Sequence, residues 1–380
     1  MPAAPIDGHC DARFAAVRQA FSENFAARDE LGAAVAIALD GRFVVDLWGG
    51  WADVARSKPW QRDTLVNFFS VGKALTSICV LRLVERRKLE LDRPVAAYWP
   101  ELGAGAQVTL RHILSHRAGL PAIRAPLPED AMLDWDTMIA ALERQSPWWP
   151  PGEDHGYHVN TFGYLTGELL RRVTGTTLGT YLRDEVAGPL AVDVHVGLAT
   201  QHQARAADFL WQPLDVPPGD GAIGGDDQMR WQAYFNPAGI SGTGWVNHQR
   251  WRSAEIPSTN GHGTARGVAR LYAALAAGGA IDGVQLLSRA MLAEAVTEHS
   301  AGIDRVTQRP ARFGLGFQLT QPERRLGPNA AAFGHFGAGG ALGFCDPEAG
   351  VAFAYVMNQM GPRWQNPRNR ALVEALYRSL

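Results

Sequence analysis

Lysine is scarce in this sequence. The chain has 36 lysine and arginine residues, and only Lys58, Lys73 and Lys88 among them are lysine. Arginine stays protonated in proteins, whereas a buried lysine can lose its proton and act as a base. Because arginine fills nearly every other basic position, Lys73, in the stretch NFFSVGKALT, is a candidate for a role that arginine cannot perform.

Cysteine and long apolar segments are scarce as well. Cys10, Cys79 and Cys345 are widely spaced and lack the pairing of metal ligands, so we predict three reduced thiols. No apolar segment approaches the roughly 20 residues that a membrane helix needs. The formal net charge is only −2 and the N-terminus has no signal-peptide pattern. These features predict a cytoplasmic protein with neither a membrane nor a nucleic acid as partner.

The pattern of apolar residues predicts an α+β fold. Helical periodicity at 11–28 is followed by two strands around an Asp40-Gly41 turn, and short apolar runs return after residue 310. Further helices are predicted at about 70–88, 132–144, 161–173, 264–277 and 371–380. Both ends of the chain therefore supply strands to one antiparallel sheet flanked by helices.

This distribution of strands and helices predicts two domains. Residues 1–69 and 300–380 would form the sheet domain, and residues 70–299 a mainly helical domain inserted into it. The active site is expected at the interface between the two domains. A chain of 380 residues is long for one core, which also favours two lobes.

Ser70 and Lys73 are three residues apart at the start of a predicted helix. On a helix this spacing places both side chains on one face, one turn apart, within reach of each other. Ser70 could instead be a helix N-cap, but that interpretation leaves the lysine unexplained, because a cation is unfavourable in the first helical turn. The pair is therefore a candidate nucleophile and base.

Two other segments are candidates for the same site. Tyr157 lies just before a predicted helix, in PPGEDHGYHVNTFGYLTGELL, where packing is the alternative role. The segment GHFGAGGALGF, residues 334–344, has five glycines in a predicted strand. Such a strand indicates the close approach of another backbone or of a ligand, or else a bulged edge strand.

Two local patterns do not support other chemistry. His112 and His116 have the spacing of a helical zinc pair, but the glutamate of a metalloprotease motif is absent, so no metal is expected. GISGTG, residues 239–244, differs from the nucleophile elbow of α/β-hydrolases because Thr243 replaces the final glycine. Ser241 is therefore not predicted to be the nucleophile, and no cofactor is indicated.

Together these segments resemble the serine β-lactamase and penicillin-recognising superfamily, and within it the family VIII carboxylesterases. The resemblance covers most of the chain and is carried by SVGK, TLRHILSHRAGLP, HGYHVNTFGYLTGELLRRVTG, STNGHGTARGVARLYAAL and HFGAGGALGFCDP. It implies a β-lactamase/transpeptidase-like fold and Ser70 as the acylated nucleophile. It also implies Lys73 and Tyr157 as proton-transfer partners, and an oxyanion hole formed by the backbone N–H groups of Ser70 and Ala338. Because a neighbouring cation and burial can lower the pKa of such a base, we expect Lys73 and Tyr157 to lower each other's pKa.

The departures from this resemblance bear on the substrate. His335 takes the place of the lysine that attracts the carboxylate of a β-lactam, and a largely neutral imidazole is a weaker anchor for an anion. Val159 stands where class C β-lactamases have asparagine, and Asn160 comes one place later. Both changes favour neutral esters, with His335, Gly337, Trp148 and Asn160 as candidate substrate-binding residues.

The sequence thus predicts a serine esterase acting on short-chain carboxylic esters. The alternatives are a β-lactamase or D-alanyl-D-alanine carboxypeptidase with the same machinery, an amidase, or a non-catalytic scaffold with this fold. The oligomeric state is not predicted.

Overall fold

The computed structural model describes residues 4–211, 225–237 and 244–380. Ser241 and Thr243, considered above as part of an elbow, lie outside these residues. The strands in the described residues are β1 Ile6–Cys10, β2 Gly32–Leu39, β3 Arg42–Gly50, β4 Val66–Asn67, β5 Val194–His195, β6 His262–Gly263, β7 Ala280–Ile281, β8 Val284–Gln285, β9 Ser300–Ile303, β10 Pro310–Phe313, β11 Gln318–Leu319, β12 Phe333–Phe336, β13 Leu342–Asp346 and β14 Val351–Met357.

The described α-helices include one near each end of the chain and several between. They are α1 Ala15–Ala27, α2 Gly72–Glu85, α3 Leu110–Leu114, α4 Trp135–Glu143, α5 Thr161–Thr174, α6 Leu178–Leu182, α7 Gly188–Leu190, α8 Gly225–Phe235, α9 Gln249–Ser253, α10 Ala265–Ala276, α11 Arg289–Ala295 and α12 Pro367–Ser379. None of the described helices is both long and apolar enough to cross a membrane. The cytoplasmic location stays a prediction.

One nine-stranded sheet joins the two ends of the chain. Its strand order is β1-β3-β2-β14-β13-β12-β11-β10-β9, and every neighbouring pair is antiparallel. The N-terminal strands meet the C-terminal strands where β2 pairs with β14, with Leu39 opposite Val351 and Ala33 opposite Met357. All residues of β14 are buried, so both of its faces are covered. The predicted antiparallel sheet is confirmed.

The β2–β3 connection has the predicted turn. Asp40 and Gly41 have φ angles of +48° and +79°, the left-handed conformation that a two-residue hairpin turn of type I′ needs at both positions. Glycine adopts this conformation freely and aspartate tolerates it. The local sequence therefore determines this hairpin.

The helix that carries the candidate lysine is shorter than predicted. A 3₁₀ turn, Phe69–Val71, precedes α2, and α2 ends at Glu85 instead of near residue 88. The reason for the early end is Arg87, whose φ of +55° is left-handed and stops the helical hydrogen bonding. Most residues of α2 are buried, so this helix is central to the helical part of the molecule.

The helical part meets the sheet at the start of α2. Helix α2 packs against α5 and α6, and the turn Phe69–Val71 contacts β12. Helix α10 belongs by sequence to the predicted helical domain, but it packs against β2, β13 and β14 of the sheet. The boundaries of the two predicted domains stay a prediction. The start of α2 lies where the sheet and the helices touch.

Candidate active site

Ser70 lies in a tight turn that depends on an unusual backbone conformation. The preceding residue, Phe69, has a φ of +49°, which is uncommon and strained for a residue with a bulky side chain. Packing holds it there, because the Phe69 ring is buried and lies edge-on to Phe209 with a centroid distance of 4.9 Å. The turn presents Ser70 to a cavity between the sheet and the helices.

Lys73 has three polar neighbours, and Ser70 is one of them. Its Nζ atom lies 3.1 Å from Ser70 Oγ, 2.8 Å from the carbonyl oxygen of Val159 and 3.0 Å from that of Ser258. Carbonyl oxygens only accept hydrogen bonds, so each of the two takes one N–H of the amine. A neutral amine has two N–H groups and one lone pair. With both N–H groups donated to carbonyls, the lone pair is left for the Ser70 hydroxyl.

The surroundings of Lys73 favour this neutral form. The side chain is fully buried, and burial lowers the pKa of Lys73 well below its ordinary value. Within the described residues no Asp or Glu forms an ion pair with it. No neighbouring carboxylate therefore counteracts the effect of burial on the amine.

Tyr157 is the third member of the group. Lys73 Nζ lies 4.7 Å from the centre of the Tyr157 ring. The phenol oxygen is buried, and among the described residues it has no hydrogen-bond partner with good geometry. Burial raises the pKa of Tyr157 well above its ordinary value, and the nearby Ser70 hydroxyl opposes this rise.

The expectation that Lys73 and Tyr157 lower each other's pKa is therefore wrong for the tyrosine. Burial disfavours the charged form of any group, so it lowers the pKa of an amine and raises that of a phenol. Burial of the site therefore favours an uncharged amine beside an uncharged phenol. The amine is thus the better base and the phenol the better proton donor.

The glycine-rich strand approaches the serine turn closely. A Cβ atom at Gly337 would lie 2.4 Å from the carbonyl oxygen of Phe68, two residues before Ser70. The φ of Gly337 is −110°, which any residue can adopt, so it is the lack of a side chain that matters here. This finding confirms the close approach of a second backbone that the five glycines predicted.

This approach brings together two backbone N–H groups at helix starts. Ala338 is the first residue of the 3₁₀ turn Ala338–Gly340, and Ser70 is the second of Phe69–Val71. N–H groups at the start of a helix have no partner within the helix. Ser70 and Ala338 line the same cavity, so their two N–H groups are candidates for binding a ligand there.

The cavity in front of Ser70 has a volume of about 360 Å³. Its aromatic walls are formed by Phe69, Trp211, Tyr234, Phe235 and Trp364. Of the predicted substrate-binding residues, only Asn160 is among the lining residues. The Asn160 amide is already engaged, because Nδ2 donates to the Ala233 carbonyl at 3.2 Å and Oδ1 accepts from the Thr259 hydroxyl at 2.9 Å.

The other three predicted substrate-binding residues, His335, Gly337 and Trp148, are not among the residues that line the cavity. His335 is fully buried with its ring 6.1 Å from that of Tyr157, and its Nδ1 lies 2.6 Å from the Phe336 carbonyl oxygen. Burial lowers the pKa of His335 well below its ordinary value, so the ring is neutral. Trp148 donates from Nε1 to the Ala122 carbonyl at 2.8 Å, outside the lining.

Residues 17–377 match the Beta-lactamase protein family. The chain belongs to this family. A curated relative in it, "Esterase/beta-lactamase LipL" of Mycobacterium tuberculosis, is 35% identical over 93% of this chain and 83% of its own length.

Solved structures that resemble the whole chain agree with this assignment. A family VIII carboxylesterase is 37% identical with a TM-score of 0.91, over 99% of this chain and 100% of its own. A penicillin-binding protein homologue from Caulobacter crescentus is 41% identical with a TM-score of 0.90, over the same shares. The predicted α+β, β-lactamase-like fold is confirmed.

Several residues of the site could not be recognised from the sequence alone. The Val159 and Ser258 carbonyls that hold Lys73 belong to quoted segments, but no side chain marks them. His116 was considered as a zinc ligand, and its ring instead packs against Tyr157 at 4.9 Å. Arg309, Arg324 and Arg363 also line the cavity, and only the fold brings them together.

Proposed function

We propose that the protein is a serine esterase that hydrolyses carboxylic esters through an acyl-Ser70 intermediate. The observation that carries this proposal is the position of Lys73. Its buried amine donates to two carbonyls and has its lone pair left for Ser70 Oγ. A serine hydroxyl becomes a good nucleophile when a neighbouring base takes its proton. The three contacts around Nζ make Lys73 that base.

Acylation then follows from the protonation states of the two partners. Lys73 takes the Ser70 proton as Oγ bonds to the ester carbonyl carbon, and the acyl C–O bond then breaks. Tyr157 gives its proton to the leaving alcohol oxygen and recovers one from Lys73, so that the amine is neutral again. Water enters in place of the alcohol, and the same proton transfers in reverse release the carboxylic acid and free Ser70.

The developing negative charge is stabilised by backbone donors. In the tetrahedral intermediate the former carbonyl oxygen would lie between the N–H groups of Ser70 and Ala338, at two helix starts. Removal of one such donor typically costs roughly 2.7–4 kcal/mol of transition-state stabilisation. Gly337 contributes indirectly, because its missing side chain lets the two backbones meet.

The relatives support the class of reaction. The chain is a serine hydrolase of the esterase type, with a family VIII carboxylesterase and an esterase/β-lactamase among its whole-chain relatives. Short-chain carboxylic esters are the proposed substrates. The cavity of about 360 Å³ with aromatic walls fits an ester with a small acyl group and a small alcohol.

The test is to trap the acyl-enzyme and compare two serine variants of one segment. The wild type, incubated with a butyrate ester and quenched with acid, should gain the mass of one butyryl group on the peptide that contains Ser70. Ser70→Ala should lose both the adduct and hydrolysis. Ser77→Ala is the matched control, because Ser77 is a buried serine of α2 whose Oγ donates to the Lys73 carbonyl, outside the cavity. A folded Ser70→Ala variant that keeps the wild-type rate would refute the proposal.

A further inference from the structure

The cavity in front of Ser70 has an unbalanced charge. Arg309, Arg324 and Arg363 are among the described residues that line it, and no Asp or Glu is. None of the three guanidinium groups forms an ion pair within the described residues. Three positively charged side chains thus line one small cavity, with no carboxylate among its described lining residues. This arrangement indicates a negatively charged ligand.

Arg324 is the arginine held most firmly in the wall. Its guanidinium carbon lies 5.1 Å from the centre of the Trp364 ring and 5.9 Å from that of Phe336, and the side chain is half-buried. Burial lowers the pKa of Arg324, but an arginine remains protonated at any ordinary pH. The two aromatic rings therefore hold a positive charge at the cavity wall.

The buried Asp304 does not neutralise this charge. Asp304 acts on Arg324 only at longer range, since its carboxylate instead accepts hydrogen bonds from the backbone N–H groups of Val306 and Thr307 at 2.9 and 2.7 Å. Elsewhere in the described residues a buried arginine does have its partner: Arg368 Nη1 lies 2.8 Å from Glu30. Keeping a partly buried cation without a partner is costly, which argues for a ligand.

The position of Arg324 relative to Tyr157 indicates which half of the substrate it faces. The Trp364 ring that carries the guanidinium lies 5.3 Å from the Tyr157 ring, edge to face. In the proposed function Tyr157 protonates the leaving alcohol, so the alcohol half of the ester lies on the Tyr157 side. Arg309 and Arg363 are exposed and lie at the rim, where they would attract an anion but hold it less firmly.

We propose that this site takes esters whose alcohol half carries a carboxylate, and that Arg324 binds that carboxylate. The proposal rests on the esterase function proposed above and names its substrate class. It replaces the expectation of neutral esters, which rested on His335 in place of the lysine and on Val159 in place of the asparagine. The cation that the sequence lacks at residue 335 is supplied by residues 309, 324 and 363, which are brought to the cavity by the fold. Hydrolysis would then release a carboxylic acid and a hydroxy acid.

The first test compares two esters of equal size. 4-Butyryloxybenzoate and 4-butyryloxybenzamide share the acyl group and an electron-poor phenol, and only the first has a carboxylate on the alcohol half. We expect kcat/KM for the benzoate to be about 10-fold or more higher at low ionic strength, with the difference shrinking as salt screens the charges. A mono-aryl ester of glutaric acid, which has its carboxylate on the acyl half, should show no such gain. An equal gain for that ester would overturn the assignment to the alcohol half.

The second test uses neighbouring arginines. Arg324→Gln should lower kcat/KM for the benzoate by about 10- to 100-fold and change that for the benzamide by less than about threefold. Arg325→Gln removes the same charge at the next residue, which does not line the cavity, and should leave both values close to wild type. An Arg324→Gln variant that loses activity equally on both esters, or on neither, would overturn the proposal.

The two proposals fail in different ways. If the benzamide is hydrolysed through Ser70 and the benzoate is not preferred, the substrate class is wrong and the esterase function stands. If neither ester is hydrolysed and no acyl-Ser70 forms, the proposed function itself fails.

Discussion

Lys73 Nζ lies 3.1 Å from Ser70 Oγ, and two carbonyl oxygens fix it there. The carbonyls use the two N–H groups of a neutral amine and leave its lone pair for the serine. The two carbonyls therefore fix the orientation of the amine as well as its distance from Ser70. This orientation sets the direction in which the proton moves. The following predictions test the parts of this arrangement one at a time.

Lys73→Arg should be almost inactive. The guanidinium is positively charged and cannot lose a proton at ordinary pH, so Ser70 would have no base. Loss of general-base catalysis typically costs about 10²- to 10⁴-fold in rate, and we expect kcat for a butyrate ester to fall by that amount. Thermal unfolding checks that the variant folds. A folded, fully active arginine variant would contradict the role of Lys73.

The pH dependence of kcat/KM should reflect the titration of Lys73. Protonated Lys73 cannot accept the serine proton, so activity is absent at low pH and rises as the amine loses its proton. Because burial lowers the pKa of Lys73, the midpoint of this rise should lie well below 10.5, the ordinary lysine value.

The neighbouring histidines should not cause this rise. Burial lowers the pKa of His158 to about 3, and that of His116 and His335 well below 6.5. These rings stay neutral over the working range. In His335→Gln the midpoint should therefore be unchanged, whatever the absolute rate. Disappearance of the rise in that variant would assign the titration to the imidazole.

Tyr157→Phe should separate catalysis from stability. The Tyr157 hydroxyl makes no hydrogen bond of good geometry among the described residues, so its removal should change the melting temperature little. The proton donor to the leaving alcohol is lost, and kcat should fall by about 10²- to 10⁴-fold.

Tyr164→Phe is the matched control for this variant. The Tyr164 hydroxyl is buried and donates to the Met132 carbonyl at 2.6 Å, away from the cavity. Its removal should lower the free energy of unfolding by about 1 kcal/mol and leave kcat unchanged. Equal kinetic losses in the two variants would mean that Tyr157 acts only through packing.

Gly337→Ala should damage the oxyanion hole. The new Cβ atom would lie 2.4 Å from the Phe68 carbonyl oxygen, so the strand must move away and take the Ala338 N–H with it. Loss of one such donor lowers kcat by about 10²- to 10³-fold. KM should change less, because the donor acts mainly in the transition state.

A glycine without neighbours provides the control for Gly337→Ala. Gly175 has a left-handed φ of +73° and no atom within 4 Å of its Cβ position. Gly175→Ala should lower stability by about 1–2 kcal/mol through backbone strain and leave kcat as it is. If both variants kept wild-type kcat, the close approach at Gly337 would have no catalytic role.

Predictions from the sequence succeeded where a local pattern is sufficient. The spacing of Ser70 and Lys73, the Asp40-Gly41 turn and the glycines around residue 337 each depend on a few consecutive residues. Helix α5 was predicted at 161–173 and is found at Thr161–Thr174. In these cases the backbone geometry follows from the residue types themselves.

The sequence was less informative about the substrate. His335 was chosen by its place in a motif and Trp148 as an aromatic residue for an apolar pocket, and both lie outside the cavity lining. Burial of a side chain depends on elements that are distant along the chain, and no motif reports it. The arginine-lined wall was missed for the same reason, since residues 309, 324 and 363 come from separate segments.

The sequence by itself determined which groups are one helical turn apart and where the chain must turn, because these depend on backbone sterics within a few residues. Only the tertiary structure decided the charge of those groups. The carbonyls that hold Lys73 are 86 and 185 residues away from it along the chain, and burial by distant segments lowers its pKa. Charge states depend on the local dielectric and on hydrogen-bond partners, and both are properties of the folded molecule.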